Sequence, residues 1–128
     1  MRNFYTATFI TDNGTVYARV PDLPGCITTG KDLPEAIDMM TDAANLWLVA
    51  AEDRNDPIPA PTPQSDVDIP DGATVSLIKV DTLAYRAETD TRAVRKNVSI
   101  PAWMAALADK RNINVSQVLQ EALLQKFV

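Results

Sequence analysis

Histidine is absent from this 128-residue chain, and cysteine occurs once, at position 26. Without imidazole there is no triad of the usual kind, little zinc chemistry, and no side chain whose ordinary pKa lies near neutrality. Cys26 has no second thiol for a disulfide or a zinc site, and it reads as a small buried apolar residue. Long apolar runs are also missing. None approaches the ~18–20 residues that a membrane span requires. Met1-Arg2-Asn3 leads into a strand-like pattern and not into a signal-peptide core, so a cytoplasmic protein with no membrane partner is expected.

The charge is unevenly spread. The chain as a whole carries a net charge of −5. Residues 91–128 hold six cations (Arg92, Arg95, Lys96, Lys110, Arg111 and Lys126) against Asp109 and Glu121, a net +4. Residues 1–90 hold six basic and fifteen acidic side chains, a net −9. An acidic body with a basic end suggests two partners of opposite sign.

The first part of the chain reads as strands and one helix. Phe4 to Thr11 is rich in aromatic residues and threonine, and Thr15 to Pro21 places Val16, Ala18 and Val20 on one face. Asn13-Gly14 between them suits a tight hairpin in which both central residues take positive φ. Pro21-Asp22-Leu23-Pro24-Gly25 is a rigid turn, and a third strand is expected from Cys26 to Thr29. Asp32-Leu33-Pro34-Glu35 has the form of a helix start, with an aspartate cap and proline in the first turn. Leu33, Ile37, Met40, Ala44, Trp47 and Ala51 follow at helical spacing, which predicts the face that packs on the sheet. Tyr5 and Trp47 are expected in the core. Prolines at 57, 59, 61 and 63 make a stiff connector, and Ala73 to Val80 alternates as a last strand. This predicts an α+β chain in three parts: a β-β-β-α-β domain over residues 1–80, a polar linker over 81–90, and a second domain over 91–128.

From Ala93 onward the pattern alternates again. Val94, Val98 and Ile100 share one face with Lys96; Arg95, Asn97 and Ser99 share the other. Pro101 stops this strand and opens a helix to about Lys110, in which Trp103 falls off the Met104–Leu107 stripe. Asn114 with Gln117 caps a second helix whose stripe includes Val115, Val118, Leu119, Ala122, Leu123 and Phe127. A lone strand has no ladder partner, and two short helices bury too little surface to stand alone. Antiparallel pairing of two copies through the strand solves both problems. The homodimer core is then Val94, Val98, Ile100, Leu107, Val118, Leu119 and Leu123. Its two-stranded ribbon suits the major groove of DNA, with Arg95, Asn97 and Ser99 toward base edges. Lys96, Asn114 and the amides of Val115 and Ser116 are placed for phosphate.

Residues 91–128 resemble a ribbon-helix-helix DNA-binding domain. The whole chain resembles a HicB-family antitoxin, through "TFITDNGTVYARVPDLPGCITTGKDLPEAI", "DPIPAPTP" and "VRKNVSIPAWMAALADKRNINVSQVLQEALLQKF". The resemblance implies a partial RNase H-like N-terminal domain that binds and neutralises a HicA-type toxin, a small ribonuclease acting on mRNA. It also implies that the C-terminal domain binds operator DNA and represses its own operon, as a dimer or a higher oligomer. The acidic body agrees with a basic RNA-cleaving partner, but its charge chooses no face, so toxin-contacting residues are unassigned within 1–80.

Two other readings compete. A metal-dependent nuclease of RNase H type needs carboxylates projecting from strand centres. Asp12 lies in a turn, Asp22 in a loop, and Phe4 to Thr11 has no acid, so no catalytic residue, metal or cofactor is assigned. A DNA-binding regulator whose N-terminal domain senses a small ligand is the alternative, and no sequence feature supports a ligand pocket.

Overall fold

Asn13 (φ 50°) and Gly14 (φ 77°) both take the left-handed conformation and close a hairpin between β1 (Arg2–Asp12) and β2 (Thr15–Arg19). The register, Asp12 opposite Thr15 and Ile10 opposite Tyr17, puts Tyr5, Ala7, Phe9, Val16 and Ala18 on one buried face. In the loop that follows, Leu23 N–H donates to Val20 O and Cys26 N–H to Leu23 O, each at 3.0 Å, with Gly25 at φ 78°. β3 (Ile27–Gly30) then pairs with β2. This is the computed structural model of the chain, and it describes residues 1–128 as two compact units, Met1–Asp90 and Thr91–Val128.

Helix α1 (Leu33–Asp53) starts as the sequence predicts, Asp32 Oδ1 accepting from Glu35 N–H at 2.9 Å. It ends on Asn55 in the left-handed region (φ 56°). There Asp56 N–H donates to Ala51 O (2.9 Å) and Asn55 N–H to Glu52 O (3.1 Å), a double closure of the last carbonyls. Its buried face is Ala36, Met40, Ala44, Leu48 and Ala51. The expected stripe was therefore turned to one side. Leu48 belongs to the centre, while Leu33, Ile37 and Trp47 pack at the margin. Small alanines let the helix lie close to the sheet, which sets which side chains can reach it. Trp47 accordingly stays partly exposed, its Nε1–H donating to Pro24 O at 3.0 Å.

β4 (Thr74–Asp81) adds to β1, completing an antiparallel sheet in the order β3-β2-β1-β4 with α1 over one face. The proline connector returning to it is tied down twice: Tyr5 Oη donates to Pro59 O, and Asp22 accepts from Thr62 N–H (2.8 Å) and Thr62 Oγ1 (2.6 Å).

The segment 81–90 is not the polar linker expected. Residues Thr82–Thr89 form helix α2, capped by Asp81, whose Oδ1 accepts from Ala84 N–H at 3.0 Å. Arg86 joins it to α1 through Asp53 (2.8 Å) and Glu52 (3.3 Å), and Thr82 is fully buried. The polar side chains that suggested a linker are the ones making these tertiary bonds. The second unit holds α3 (Ala102–Lys110) and α4 (Val115–Phe127). Residues 90–101 carry no regular secondary structure, where a strand was expected from Ala93, because a single chain offers that strand no ladder partner.

Two outcomes follow from the core. A Cβ on Gly30 would sit 2.5 Å from the Ala36 backbone nitrogen. Gly30→Ala is therefore expected to cost about 1–3 kcal/mol of unfolding free energy by overpacking, and an unchanged denaturant midpoint would contradict this. Burial pushes the Cys26 thiol up from its ordinary 9.0 to about 11. The folded state keeps a proton that the unfolded state releases. Stability from this residue is thus fully present below about pH 9 and is lost as pH rises toward 11. At about pH 8, iodoacetamide should label Cys26 in the unfolded but not the native protein.

Candidate functional site

The basic end of the chain is built around one tight turn. α3 opens at Pro101 (φ −56°), whose ring is pre-set for a helix start. It closes on Asn112 (φ 54°), with Ile113 N–H donating to Ala108 O (2.9 Å) and Asn112 N–H to Asp109 O (3.2 Å). The cap of α4 stands two residues later, Asn114 Oδ1 accepting from Gln117 N–H at 3.1 Å as the sequence predicts. The abrupt turn brings the two apolar stripes together. Met104, Leu107 and Ala108 face Val115, Val118, Leu119 and Ala122 across an open cleft of about 400 Å³, which Val98, Ile100 and Ile113 also line.

No residue of this unit is buried. Val98, Leu107, Val118 and Ile100 remain 37–54% exposed although they line the cleft. Of the expected dimer core, Val98, Ile100, Leu107, Val118 and Leu119 are therefore gathered in one place. Val94 (89% exposed) and Leu123 lie outside the cleft. Met104, Ile113 and Ala122 also belong to it, beyond the expected set. Ile113 could have been found from the Asn112 turn, since the residue after a left-handed cap commonly packs back on its helix.

Arg95, Asn97 and Ser99 are exposed and none lines the cleft, whereas their neighbours Val98 and Ile100 do. Lys96 is exposed as well. Val115 and Ser116 open α4, and the first of its bonds back to the cap runs from Val118 N–H to Asn114 O at 3.1 Å. The amides of Val115 and Ser116 precede it, as the free donors of any helix start do.

The first unit carries a second exposed surface. On the sheet face away from α1, Phe4, Ile10, Tyr17, Ile27 and Leu77 are 39–71% exposed. Register aligns Ile10 with Tyr17 and Arg19 with Ile27, and these four line a cleft of about 490 Å³. The acids considered for metal chemistry are not assembled. Asp12 ends β1, both Asp22 oxygens accept from Thr62, and no group of three or more Cys, Asp or Glu side chains could hold a metal ion. No helix is long and apolar enough to cross a membrane.

Comparison with solved structures finds the same fold in several chains. One, from a toxin-antitoxin complex of Streptococcus pneumoniae, has TM-score 0.62 and 21% identity, covering 98% of this chain and 99% of that one. The antitoxin HicB of Burkholderia pseudomallei has TM-score 0.57 and 23% identity over 98% and 99% of the two chains. A chain of a HicA3 and HicB3 toxin-antitoxin complex has TM-score 0.51 and 18% identity, covering 62% of this chain and 99% of its own. No match was found among curated proteins. The family described as "HicB_like antitoxin of bacterial toxin-antitoxin system" matches residues 5–126, so the chain belongs to the HicB-like antitoxins.

Proposed function

We propose that the first unit binds and neutralises a HicA-type ribonuclease toxin, and that the second pairs with another copy to bind operator DNA and repress its own operon. The observation that carries the DNA-binding half is the second unit itself. It is basic, lacks a buried core, and gathers its apolar residues in one cleft while Arg95, Asn97 and Ser99 stay outside. Pairing residues 93–100 antiparallel with a second copy would supply the missing ladder and cover the cleft, giving a ribbon-helix-helix dimer. The polar face then meets base edges, arginine favouring guanine and asparagine favouring adenine. Lys96 and the start of α4, with Asn114, Val115 and Ser116, would hold phosphates.

The toxin-binding half rests on family membership, and two of the similar structures come from toxin-antitoxin complexes. A net −9 over residues 1–90 supplies long-range attraction for a basic partner, and the exposed sheet face around Ile10, Tyr17 and Ile27 supplies apolar area. The β-β-β-α-β order with a helix on one face supports a partial RNase H-like domain as its scaffold.

Arg95→Ala and Asn97→Ala are each expected to weaken operator binding by about 1–3 kcal/mol of base discrimination. Neither should change rescue of growth when the chain is coexpressed with its toxin. Unchanged operator affinity in a direct binding assay contradicts the ribbon assignment. Loss of rescue contradicts the separation of the two roles.

A further inference from the structure

Charge alone does not choose a face of the first unit. Helix α1 holds five acids, Glu35, Asp38, Asp42, Glu52 and Asp53, and no cation, while the connector before β4 holds Asp66, Asp68 and Asp71. Shape and apolar area separate the two sides. On α1 the exposed apolar side chains Met39 and Leu46 stand two turns apart, about 10 Å, on a convex surface with Asp42 between them. On the sheet face away from α1, Ile10, Tyr17 and Ile27 are exposed on three adjacent strands and line one concave cleft. A concave floor can enclose a partner's side chain away from water, which a ridge cannot do.

That cleft does not end at the strands. Thr8 and Arg19 line it and also line a second cleft of about 590 Å³, whose other wall is the connector from Thr62 to Pro70. The connector is held there by Asp22, whose two carboxylate oxygens accept from Thr62. Just beyond Thr62 a single 3-10 turn, Gln64–Asp66, closes with Asp66 N–H donating to Pro63 O at 2.8 Å. The turn brings Asp66 and, two residues on, Asp68 to the wall, both exposed and neither in an ion pair. Arg19 stands where the two clefts meet and is unpaired as well. Three carboxylates (Asp22, Asp66 and Asp68) against this one guanidinium make the second cleft a seat for a cation and not for an anion.

We propose that this double cleft is the surface that receives the toxin, a basic protein that sets an apolar side chain among Ile10, Tyr17 and Ile27 and a cation against Asp66 and Asp68. The placement rests on the toxin-binding reading above and divides the work between the two halves. Tyrosine and arginine are the residue types in which interface affinity concentrates once a partner excludes water around them, and Tyr17 (51% exposed) and Arg19 supply both at the apolar floor. Asp66 and Asp68 lie at the rim. Their charges act on the approach of the partner more than on its departure, and salt screens them.

The test is to measure association and dissociation rates of the full chain with its toxin, produced in a catalytically inactive form. Tyr17→Ala is expected to weaken the complex about thirtyfold or more, chiefly through faster dissociation. Asp66→Asn with Asp68→Asn should slow association roughly fivefold at low salt and flatten its salt dependence. Met39→Ser with Leu46→Ser, on the outer side of α1, should change neither rate. Ile27 is 71% exposed, so Ile27→Asp leaves the core intact and gives a second reading of the floor should Tyr17→Ala fail to fold. Weakening by the α1 pair and not by Tyr17→Ala or Ile27→Asp overturns the double cleft and leaves the toxin reading standing. No binding by the wild-type chain overturns the toxin reading, and the double cleft with it. Intact toxin affinity in Tyr17→Ala, joined to a lower mass of the free chain, assigns the face to a second copy and overturns the proposal.

Discussion

Helix α1 lies on its sheet through Ala36, Ala44 and Ala51, and at its start it meets a strand residue, Gly30, that has no side chain to hold it off. That close seat decides how far every other group of the first unit must reach. From one flank Trp47 bonds the Pro24 carbonyl and fixes the loop after β2. From the other, Asn45 takes the Asp81 amide at the end of β4. At the far end Glu52 and Asp53 receive Arg86, and Glu52 also accepts from the Thr82 hydroxyl at 3.1 Å. A helix held higher by larger core residues would lose these bonds in sequence, because side chains of fixed length would no longer span the gap.

The second unit solves a different problem. Two short helices and an irregular segment cannot enclose a core, and here they do not try: the turn at Asn112 folds two stripes toward each other and leaves the space between them open. One chain thus contains a self-sufficient body and an incomplete one. The division of charge follows the same boundary, acidic on the body and basic on the incomplete end.

Local chemistry was legible in the sequence. Asn13-Gly14, the Asp32 cap and the Asn114 cap each act within a few residues, so their geometry is specified where they stand. What the sequence does not show locally depends on distant parts. Leu48 belongs to the centre of α1 only because alanines elsewhere set the depth of the helix. Residues 82–89 looked like a polar connector because Thr82 and Arg86 find their partners on α1 and at the N-terminus, some thirty or more positions away. The segment from Ala93 alternates as a strand does, and alternation is what a strand needs from its own sequence. The hydrogen bonds of a strand come from a neighbour, and within one chain that neighbour does not exist.

With the second unit paired as proposed, the absence of any buried residue beyond Thr91 would make the amount of protein a thermodynamic variable. A segment whose apolar side chains are covered only by association is ordered in proportion to how much of its partner is present. Under that pairing, dilution would open its backbone to proteases while the residues before it stay folded. Under the proposed pairing, the cleft that takes a second copy also gives the chain a lifetime that shortens as its own supply falls.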